Sequence, residues 1–179
     1  MKTKASVMIC DNRFNLRTIE SDDTEVLRIW KNEHKEYFFY KKDITEEEQQ
    51  LWFKAFSERQ DDHMFVIEDN LKPIGCIGVR LHNNIVDVYN VILGDKKYKG
   101  MHVMTTALWA VVCFSNLIYK GKPASVRVLQ SNPAIKWYEK IGFNLIGYNE
   151  DHIVMKFENT NFNESFNFKI NILLNNKNN

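Results

Sequence analysis

The stretch that most constrains the fold is residues 95–104, which reads Asp-Lys-Lys-Tyr-Lys-Gly-Met-His-Val-Met. It lies between an apolar run at residues 86–93 and an amphipathic run at residues 103–118. This order predicts a strand, a short basic loop with a glycine, and a helix that begins where the loop ends. Because the first N–H groups of a helix have no intrahelical partner, such a loop can bind an anion. A lysine-rich turn is more often a solvated surface loop, so the rest of the chain has to decide between the two.

Composition sets the domain organisation and excludes some functions. The chain has 179 residues, 44% of them hydrophobic, which is enough for one well-buried core and predicts one domain at residues 1–158. The net charge of +1 gives no indication of a nucleic acid or a membrane surface as partner. The three cysteines lack a Cys-x-x-Cys spacing, which argues against a disulfide framework and against a metal site. No signal sequence and no apolar run of ~18 to 20 residues is present, so we expect a soluble, cytoplasmic protein.

Residues 159–179 differ from the rest because they are rich in Asn and contain neither Gly nor Pro. Within them Phe166, Phe168, Ile170 and Ile172 alternate with polar residues, which predicts a strand with one apolar face. We therefore expect an Asn-rich extension that adds one strand and serves as a candidate contact in a homodimer.

Hydrophobic periodicity and turn residues predict the remaining elements. Strands are expected at residues 14–19, 63–68, 73–81, 85–93, 125–129, 143–148 and 153–157. Helices are expected after the cap at residues 21–23, at 45–57 behind a Thr45–Glu48 capping box, from 103 to about 120, and at 132–141 with Pro133 in the first turn. This order predicts an α+β fold with a mixed sheet and helices on its faces.

Residues 132–143 read Asn-Pro-Ala-Ile-Lys-Trp-Tyr-Glu-Lys-Ile-Gly-Phe. With the glycine loop after the fourth predicted strand, they resemble the GCN5-related N-acetyltransferases (GNAT). In that family an Asn opens the fourth helix, a Tyr follows about one turn later, and Gly-Phe begins the sixth strand. Asn132, Tyr138, Gly142 and Phe143 occupy those places. The resemblance covers roughly residues 14–158 and implies a mostly antiparallel sheet with one parallel, splayed strand pair and helices on both faces.

The resemblance implies that acetyl-CoA is the co-substrate and that no metal takes part. The family loop usually reads Arg or Gln, two residues, Gly, one residue, then Gly or Ala, whereas this chain has Lys97 and His102 at the first and last places. His102 must therefore point outward, reshape the loop, or donate to a phosphate oxygen. Asn132 is a contact to the pantetheine arm, a plain helix cap, or both. The implied acetyl-CoA contacts are Val91, Ile92, Leu93, Lys97, Tyr98, Lys99, Gly100, Met101, His102, Val103, Met104 and Asn132.

The implied chemistry is direct attack of an amine on the thioester, which needs an acid and a base. Tyr138 is the candidate acid, because a phenol with a pKa near ~10 is protonated at neutral pH; the alternative is that it only packs on the helix face. Asp87 is the candidate base if its side chain faces the cleft. A solvent-facing side chain is an equal alternative, because a bulge is expected in this strand and the alternation of side chains is then not fixed. Glu33 and His34 remain alternative bases.

Residues 30–52 are expected to bind the acceptor, with Trp30, Glu33, Tyr40 and Trp52 as candidate contacts. The aromatic cluster at residues 37–40 is followed by two lysines, which suits a base or sugar and a phosphate, although each residue singly fits a structural role as well. Residues 30–32, Trp-Lys-Asn, and residues 44–53, Ile-Thr-Glu-Glu-Glu-Gln-Gln-Leu-Trp-Phe, are similar to the GNAT branch that acetylates amino sugars and protein N-termini. We expect an enzyme that acetylates a nucleotide-linked amino sugar in surface-glycan biosynthesis. The alternatives are a protein N-terminus or an aminoglycoside-like amine as acceptor, or a non-catalytic acyl-CoA-binding module.

Overall fold

The computed structural model describes residues 4–9, 14–158 and 168–173. The described helices are α1 (Thr24–Glu33), α2 (Glu46–Glu58), α3 (Val103–Ile118) and α4 (Ile135–Lys140). The described strands are β1 (Lys4–Ile9), β2 (Phe14–Thr18), β3 (Asp62–Asp69), β4 (Lys72–His82), β5 (Ile85–Leu93), β6 (Ala124–Leu129), β7 (Phe143–Tyr148), β8 (His152–Phe157) and β9 (Phe168–Leu173). Within these ranges, no helix is both long and apolar enough to cross a bilayer.

The described strands form one sheet in the order β7-β8-β6-β5-β4-β3-β2-β1-β9. Neighbouring strands run antiparallel, except that β5 and β6 are parallel. These two strands pair only where residues 86–88 face residues 124–126, although both continue beyond that point. They therefore splay apart toward their carboxyl ends, and the predicted α+β fold with a parallel, splayed pair is confirmed.

Two tight turns fix the antiparallel half of the sheet. Asn70 and Leu71 have φ angles of 49° and 65°, and Asn83 and Asn84 have φ angles of 50° and 63°. Two consecutive left-handed residues form the turn type that suits the twist of a two-residue hairpin, and Asn tolerates this conformation better than most residues. The predicted hairpins β3–β4 and β4–β5 are both present.

The sheet separates two apolar cores. Val86 and Val88 of β5 belong to the core that contains the buried side chains of α3. The other core contains residues of α1 and α2, and Tyr89 packs against it. Because side chains alternate along a strand, Asp87 shares the face of Tyr89 and points toward α1 and α2.

The two helices on this face begin differently from each other. At α2, Thr45 Oγ1 accepts from Glu48 N–H at 3.2 Å and Glu48 Oε2 accepts from Thr45 N–H at 2.8 Å, so the predicted capping box is confirmed. At α1, the predicted cap residues form a short 3₁₀ turn at Ser21–Asp23. The Asp23 carboxylate accepts from Arg17 at 2.6 Å and from Glu20 N–H at 2.7 Å, and it makes no cap bond to α1.

Helix α4 is shorter than predicted. The α-helix spans Ile135–Lys140, whereas residues 132–134 form a preceding turn in which Asn132 Oδ1 accepts from Ala134 N–H at 2.9 Å. The first i→i+4 helical bond runs from Tyr138 N–H to the Ala134 carbonyl at 2.9 Å.

The sheet also contains strands at both ends of the chain. β1 did not feature in the predicted element order, and it pairs antiparallel with β2 and with β9. Phe168, Ile170 and Ile172 lie in β9, whereas Phe166 lies outside the described residues. β9 is the last described strand at this edge of the sheet.

Candidate active site

A cavity of about 890 Å³ is lined by both strands of the splayed pair. Residues 87–93 of β5 and residues 127–128 of β6 form two of its walls. The loop before α3, the first turns of α3 and α4, and the segment after α1 also line it. The sheet therefore contributes its opened strands to a cavity that also has helix N-termini and an aromatic loop.

A β-bulge in β5 shapes the wall of this cavity. Tyr89 lies opposite Gly78 and Ile92 lies opposite Cys76, so β5 carries one extra residue between these pairs. Asn90 takes a left-handed conformation with φ 48°. The bulge expected in this strand is present, and it turns the main chain just before Val91, Ile92 and Leu93, all of which line the cavity.

The loop before α3 has the backbone geometry of an anion site. Gly100 has φ 83°, and a Cβ built on it meets nothing within 4 Å. His102 takes a left-handed conformation with φ 57° directly before α3, where the first helical bond runs from Thr106 N–H to the His102 carbonyl. The N–H groups of residues 103–105 are therefore without intrahelical partners. His102 therefore has a left-handed backbone conformation in this loop and lines the cavity.

Most, but not all, of the predicted acetyl-CoA contacts lie together. Tyr98, Lys99, Gly100, His102, Val103 and Met104 line the cavity. Lys97 and Met101 are not among the lining residues. The Lys97 N–H donates to Asp95 Oδ1 at 3.0 Å, and Met101 is 44% exposed. The Tyr98 hydroxyl donates to Asp69 at 2.8 Å and so anchors the loop to β3.

Asn132 joins two parts of the cavity. Its Oδ1 caps the turn before α4, and its Nδ2 donates to the Tyr37 carbonyl at 3.5 Å. Tyr37 belongs to the aromatic segment at residues 37–40, all four of which line the cavity. The side chain therefore acts as a cap and also ties α4 to the segment after α1.

Tyr138 both packs in the core and lines the cavity. It is 7% exposed, and its ring packs edge-on against Phe143 at a centroid distance of 5.4 Å. Its hydroxyl has no hydrogen-bond partner among the described residues, and burial raises the pKa of this phenol. Trp137 Nε1 donates to Thr105 Oγ1 at 3.1 Å and fixes α4 against the start of α3. The position of Tyr138 is therefore compatible with both packing in the core and proton donation into the cavity.

Asp87 lines the cavity between two arginines that the sequence reasoning missed. Arg80 donates to Asp87 Oδ2 through two nitrogens, at 2.7 and 3.0 Å, and Arg127 donates to the same oxygen at 3.0 Å. Asp87 is 8% exposed, so it does not face open solvent. Each arginine directly follows a buried valine within its strand, and a charged residue at such a position is the sequence signal that marks it.

Arg80 is further positioned by Tyr89. The guanidinium lies over the Tyr89 ring at 4.8 Å from its centroid. The Tyr89 hydroxyl donates to Asp62, and burial together with the nearby Asp62 charge raises the pKa of this tyrosine. A Cβ on Gly78 would come within 2.7 Å of the ring, so the glycine leaves the space that the tyrosine occupies. This cluster holds Arg80 at the cavity wall.

Two of the four predicted acceptor contacts line the cavity. Tyr40 donates to Glu48 at 3.1 Å, and Trp52 stacks on Phe56 at 5.1 Å. Trp30 is buried in the core of α1 and α2, and Glu33 is exposed outside the lining. Of the alternative bases, His34 lines the cavity, but its Nδ1 is buried and has no hydrogen-bond partner among the described residues.

The described residues contain no group of three or more His, Cys, Asp or Glu side chains placed to hold a metal ion. Besides the Asp87 carboxylate, the polar groups of the cavity include amides, phenols and cations, and the unpaired N–H groups at the start of α3 lie at its wall. Such groups fit the phosphates and amides of a CoA ester.

Comparison with protein families decides the identity of this fold. The acetyltransferase (GNAT) domain family matches residues 13–144. The chain belongs to the GNAT acetyltransferase family. It is an acyltransferase that uses acetyl-CoA to acetylate an amine. A search of curated protein sequences found no match to it.

Solved structures support the GNAT fold. A domain from Methanocaldococcus jannaschii is 22% identical with a TM-score of 0.70, covering 82% of this chain and 98% of that one. FdhC, a nucleotide-linked sugar GNAT in its apo form, is 18% identical with a TM-score of 0.72, covering 92% and 93%. Spermidine N-acetyltransferase from Vibrio cholerae, solved with CoA and spermine, is 19% identical with a TM-score of 0.67, covering 80% and 93%. At these identities the likeness concerns the fold.

Proposed function

We propose that this GNAT enzyme acetylates a primary amine on a small molecule that carries an anionic group, a nucleotide-linked amino sugar used in surface-glycan biosynthesis. The amine attacks acetyl-CoA directly while both substrates are bound. The cytoplasm is the proposed compartment, in agreement with the cysteine content of the sequence.

The charge of the cavity is the observation that carries this choice of acceptor. Asp87 is the one carboxylate among the described lining residues, whereas Lys31, Arg80, Lys99 and Arg127 are cationic. Asp87 is moreover shared by two guanidinium groups. A polycationic acceptor would meet like charge here, which costs binding free energy, whereas a phosphate would meet complementary charge. The balance therefore favours a nucleotide-linked amine over a polyamine or an aminoglycoside.

The aromatic segment at residues 37–40 supports the same acceptor. Phe39 and Tyr40 are 50% and 45% exposed, so their rings are not buried in the core. Aromatic faces bind sugars and bases by stacking. Phe39 also packs edge-on against His152 at 5.3 Å, which ties the segment to the start of β8. A ring platform beside cations matches the two parts of a nucleotide sugar.

The donor, acetyl-CoA, is assigned to the part of the cavity at the start of α3. The N–H groups at the start of α3 and the open space at Gly100 suit a pyrophosphate, because a backbone without a Cβ allows close approach. The main chain of residues 91–93, behind the bulge, suits the thioester carbonyl and pantetheine. Asn132 lines the same cavity and is assigned to the pantetheine while it keeps its cap position.

The same geometry supports catalytic roles for Tyr138 and Asp87. Tyr138 donates its proton to the departing thiolate, since its hydroxyl is protonated and has no other described partner. Asp87 receives the ammonium proton through Oδ1, because Oδ2 already accepts three hydrogen bonds. The nearby positive charge of Arg80 and Arg127 also favours the neutral, nucleophilic form of the acceptor amine.

A thiol-release assay with acetyl-CoA tests the proposal. The acceptor panel consists of nucleotide-linked amino sugars, spermidine, an aminoglycoside and a peptide with a free N-terminus. We expect thiol release with at least one nucleotide-linked amino sugar and little with spermidine. Turnover of spermidine without turnover of any nucleotide sugar would reject the acceptor class. CoA binding without thiol release on any amine would favour a non-catalytic acyl-CoA-binding module.

Strand β9 is the proposed contact in a homodimer. It pairs with β1 on one side and is the last described strand at its edge of the sheet. An unpaired strand edge can add a strand from a second copy. Light scattering should give twice the mass of one chain, and removal of residues 159–179 should reduce it to that of a monomer.

A further inference from the structure

Lys31 is one of the cations at the cavity wall, and no individual role has been assigned to it so far. It lies near the end of α1, and its Nζ donates to Asn90 Oδ1 at 2.5 Å. The same nitrogen lies 4.5 Å from the centroid of the Phe38 ring. It is therefore held between the β5 bulge and the aromatic segment, on the face of the sheet where Asp87 and Arg80 lie.

Lys31 has no carboxylate partner among the described residues. The ionisable groups that face it are Cys76 and Arg80, both on β4. Burial lowers the pKa of Lys31, and the charge of Arg80 lowers it further. The amide of Asn90 and the ring of Phe38 are neutral neighbours, so they leave the charge uncompensated.

Asp87, the one carboxylate among the described lining residues, is already paired with two arginines. Asp87 Oδ2 accepts from Arg80 and from Arg127, two cations for one carboxylate. A buried charge without a counter-ion costs free energy, and that cost is recovered when a ligand supplies the opposite charge. An ammonium group has three donors, and Asn90 accepts one of them, so two remain for a ligand.

We propose that Lys31 binds an oxyanion of the acceptor and thereby selects acceptors that carry one. This inference rests on the proposed function where it names the oxyanion as a phosphate of a nucleotide-linked amine. The cation–π contact with Phe38 and the hydrogen bond to Asn90 fix the position of the ammonium group. Because Asn90 forms the bulge that precedes residues 91–93, the oxyanion is bound at a set distance from the site of acetyl transfer.

A binding experiment tests Lys31 without requiring turnover. Calorimetric titration uses uridine diphosphate, with malonate as a carboxylate probe in a second arm. CoA is present at saturation, so that the phosphates of the probe cannot occupy the donor site. The proteins are the wild type, Lys31→Met, Lys31→Arg and, as a control, Lys54→Met, whose lysine is exposed on α2 and does not line the cavity.

We expect Lys31→Met to weaken binding of the diphosphate by roughly tenfold to a hundredfold, the usual effect of losing a charge-assisted hydrogen bond. Lys31→Arg should bind within a few-fold of the wild type because it keeps the charge, and Lys54→Met should not differ from the wild type. Binding of malonate with the same dependence on Lys31 would also support an oxyanion site and would assign it to carboxylates.

Two results would overturn the proposal. One is equal affinity of wild type and Lys31→Met for both probes. The other is an equal loss in Lys31→Met and Lys31→Arg, which would make the lysine a structural support of Asn90. This test is independent of the proposed acceptor class, because Lys31-dependent binding of the probes can be measured even if no nucleotide sugar is acetylated. Conversely, if Lys31→Met acetylates a nucleotide sugar with an unchanged KM, the role of Lys31 is rejected and the proposed function is retained.

Discussion

The ring of Trp30 lies directly over Gly94, so that a Cβ on this glycine would come within 2.0 Å of the indole Cε2. Gly94 immediately follows β5, and its N–H donates to the Ile74 carbonyl at 2.9 Å. Trp30 is 6% exposed and packs in the core of α1 and α2. The tryptophan therefore supports the exit of β5 toward the loop before α3, and this packing explains its absence from the cavity lining.

Gly94→Ala should destabilise the protein because the new methyl group cannot be accommodated without moving the indole ring. Overpacking of this kind costs about 1–3 kcal/mol. Gly147→Ala is the matched control, since a Cβ there meets nothing within 4 Å. Thermal unfolding of the two variants is the measurement. Equal melting temperatures would mean that Trp30 gives way at little cost.

Trp30 and its neighbour Lys31 show where sequence reasoning reaches its limit. Periodicity and a capping signal predicted helix α1, and periodicity predicted β5 at its observed bounds. They do not fix how the helix is rotated on the sheet, and residues next to each other point about 100° apart. The tryptophan therefore entered the core, whereas the lysine faces the cavity.

Non-local pairing explains the other gaps. Arg80 and Arg127 meet at Asp87 because β4 and β6 both flank β5 in a particular register. Register depends on turns and on a bulge far away in the sequence. By contrast, the hairpins, the capping box and the glycine before α3 depend on residues close together, and these were predictable.

Asp23→Asn should reduce stability at neutral pH, with a difference that shrinks in acid. Burial alone would raise the pKa of Asp23, but hydrogen bonds from Arg17 and Glu20 lower it below its ordinary value. The stabilisation is therefore present above the unfolded pKa of ~3.9 and is lost as the pH falls through the lower, folded value. We expect a loss of about 1–3 kcal/mol at neutral pH.

Urea unfolding across this pH range provides the measurement for Asp23. Asp22→Asn serves as control, because Asp22 is exposed and, within the part of the chain that the structure describes, its side chain bonds only to the neighbouring Ser21 hydroxyl. A difference between wild type and Asp23→Asn that stays constant into acid would contradict the ion-pair explanation.

Cys76 should resist alkylation in the folded protein. The thiol is buried beside the Asn90 carbonyl, 3.5 Å away, and burial raises its pKa to about 12. The half-buried Cys113 has its pKa raised to about 11 for the same reason. Since the thiolate is the nucleophile, both should react slowly with iodoacetamide at neutral pH and quickly after denaturation. Peptide mass spectrometry measures the extent, and rapid labelling of native Cys76 would show that the β5 bulge opens.

Gly100→Arg should weaken CoA binding. Any side chain at this position is strained by the φ of 83°. Because a Cβ there meets nothing within 4 Å, the arginine would clash with no neighbour in the fold and would instead block the approach of a ligand. Gly121→Arg is a close control, with φ 73°, equal space and a position outside the cavity lining. We expect the Kd for CoA to rise by roughly tenfold or more in Gly100→Arg, a loss of ~1.4 kcal/mol. If calorimetry finds the same Kd in both variants and wild type, the phosphates bind elsewhere.

Tyr138→Phe should lower turnover while leaving CoA affinity and stability nearly unchanged. The hydroxyl makes no hydrogen bond to described residues, so its loss leaves no buried partner unsatisfied, and Phe keeps the packing against Phe143. Loss of a general acid typically costs about 10²- to 10⁴-fold in rate. Because burial raises the pKa of Tyr138, the wild type should keep this proton donor through the ordinary phenol pKa of ~10. Steady-state kcat, calorimetric Kd and melting temperature separate these effects, with the exposed Tyr148→Phe as control. A Tyr138→Phe variant with wild-type kcat would exclude the tyrosine as proton donor.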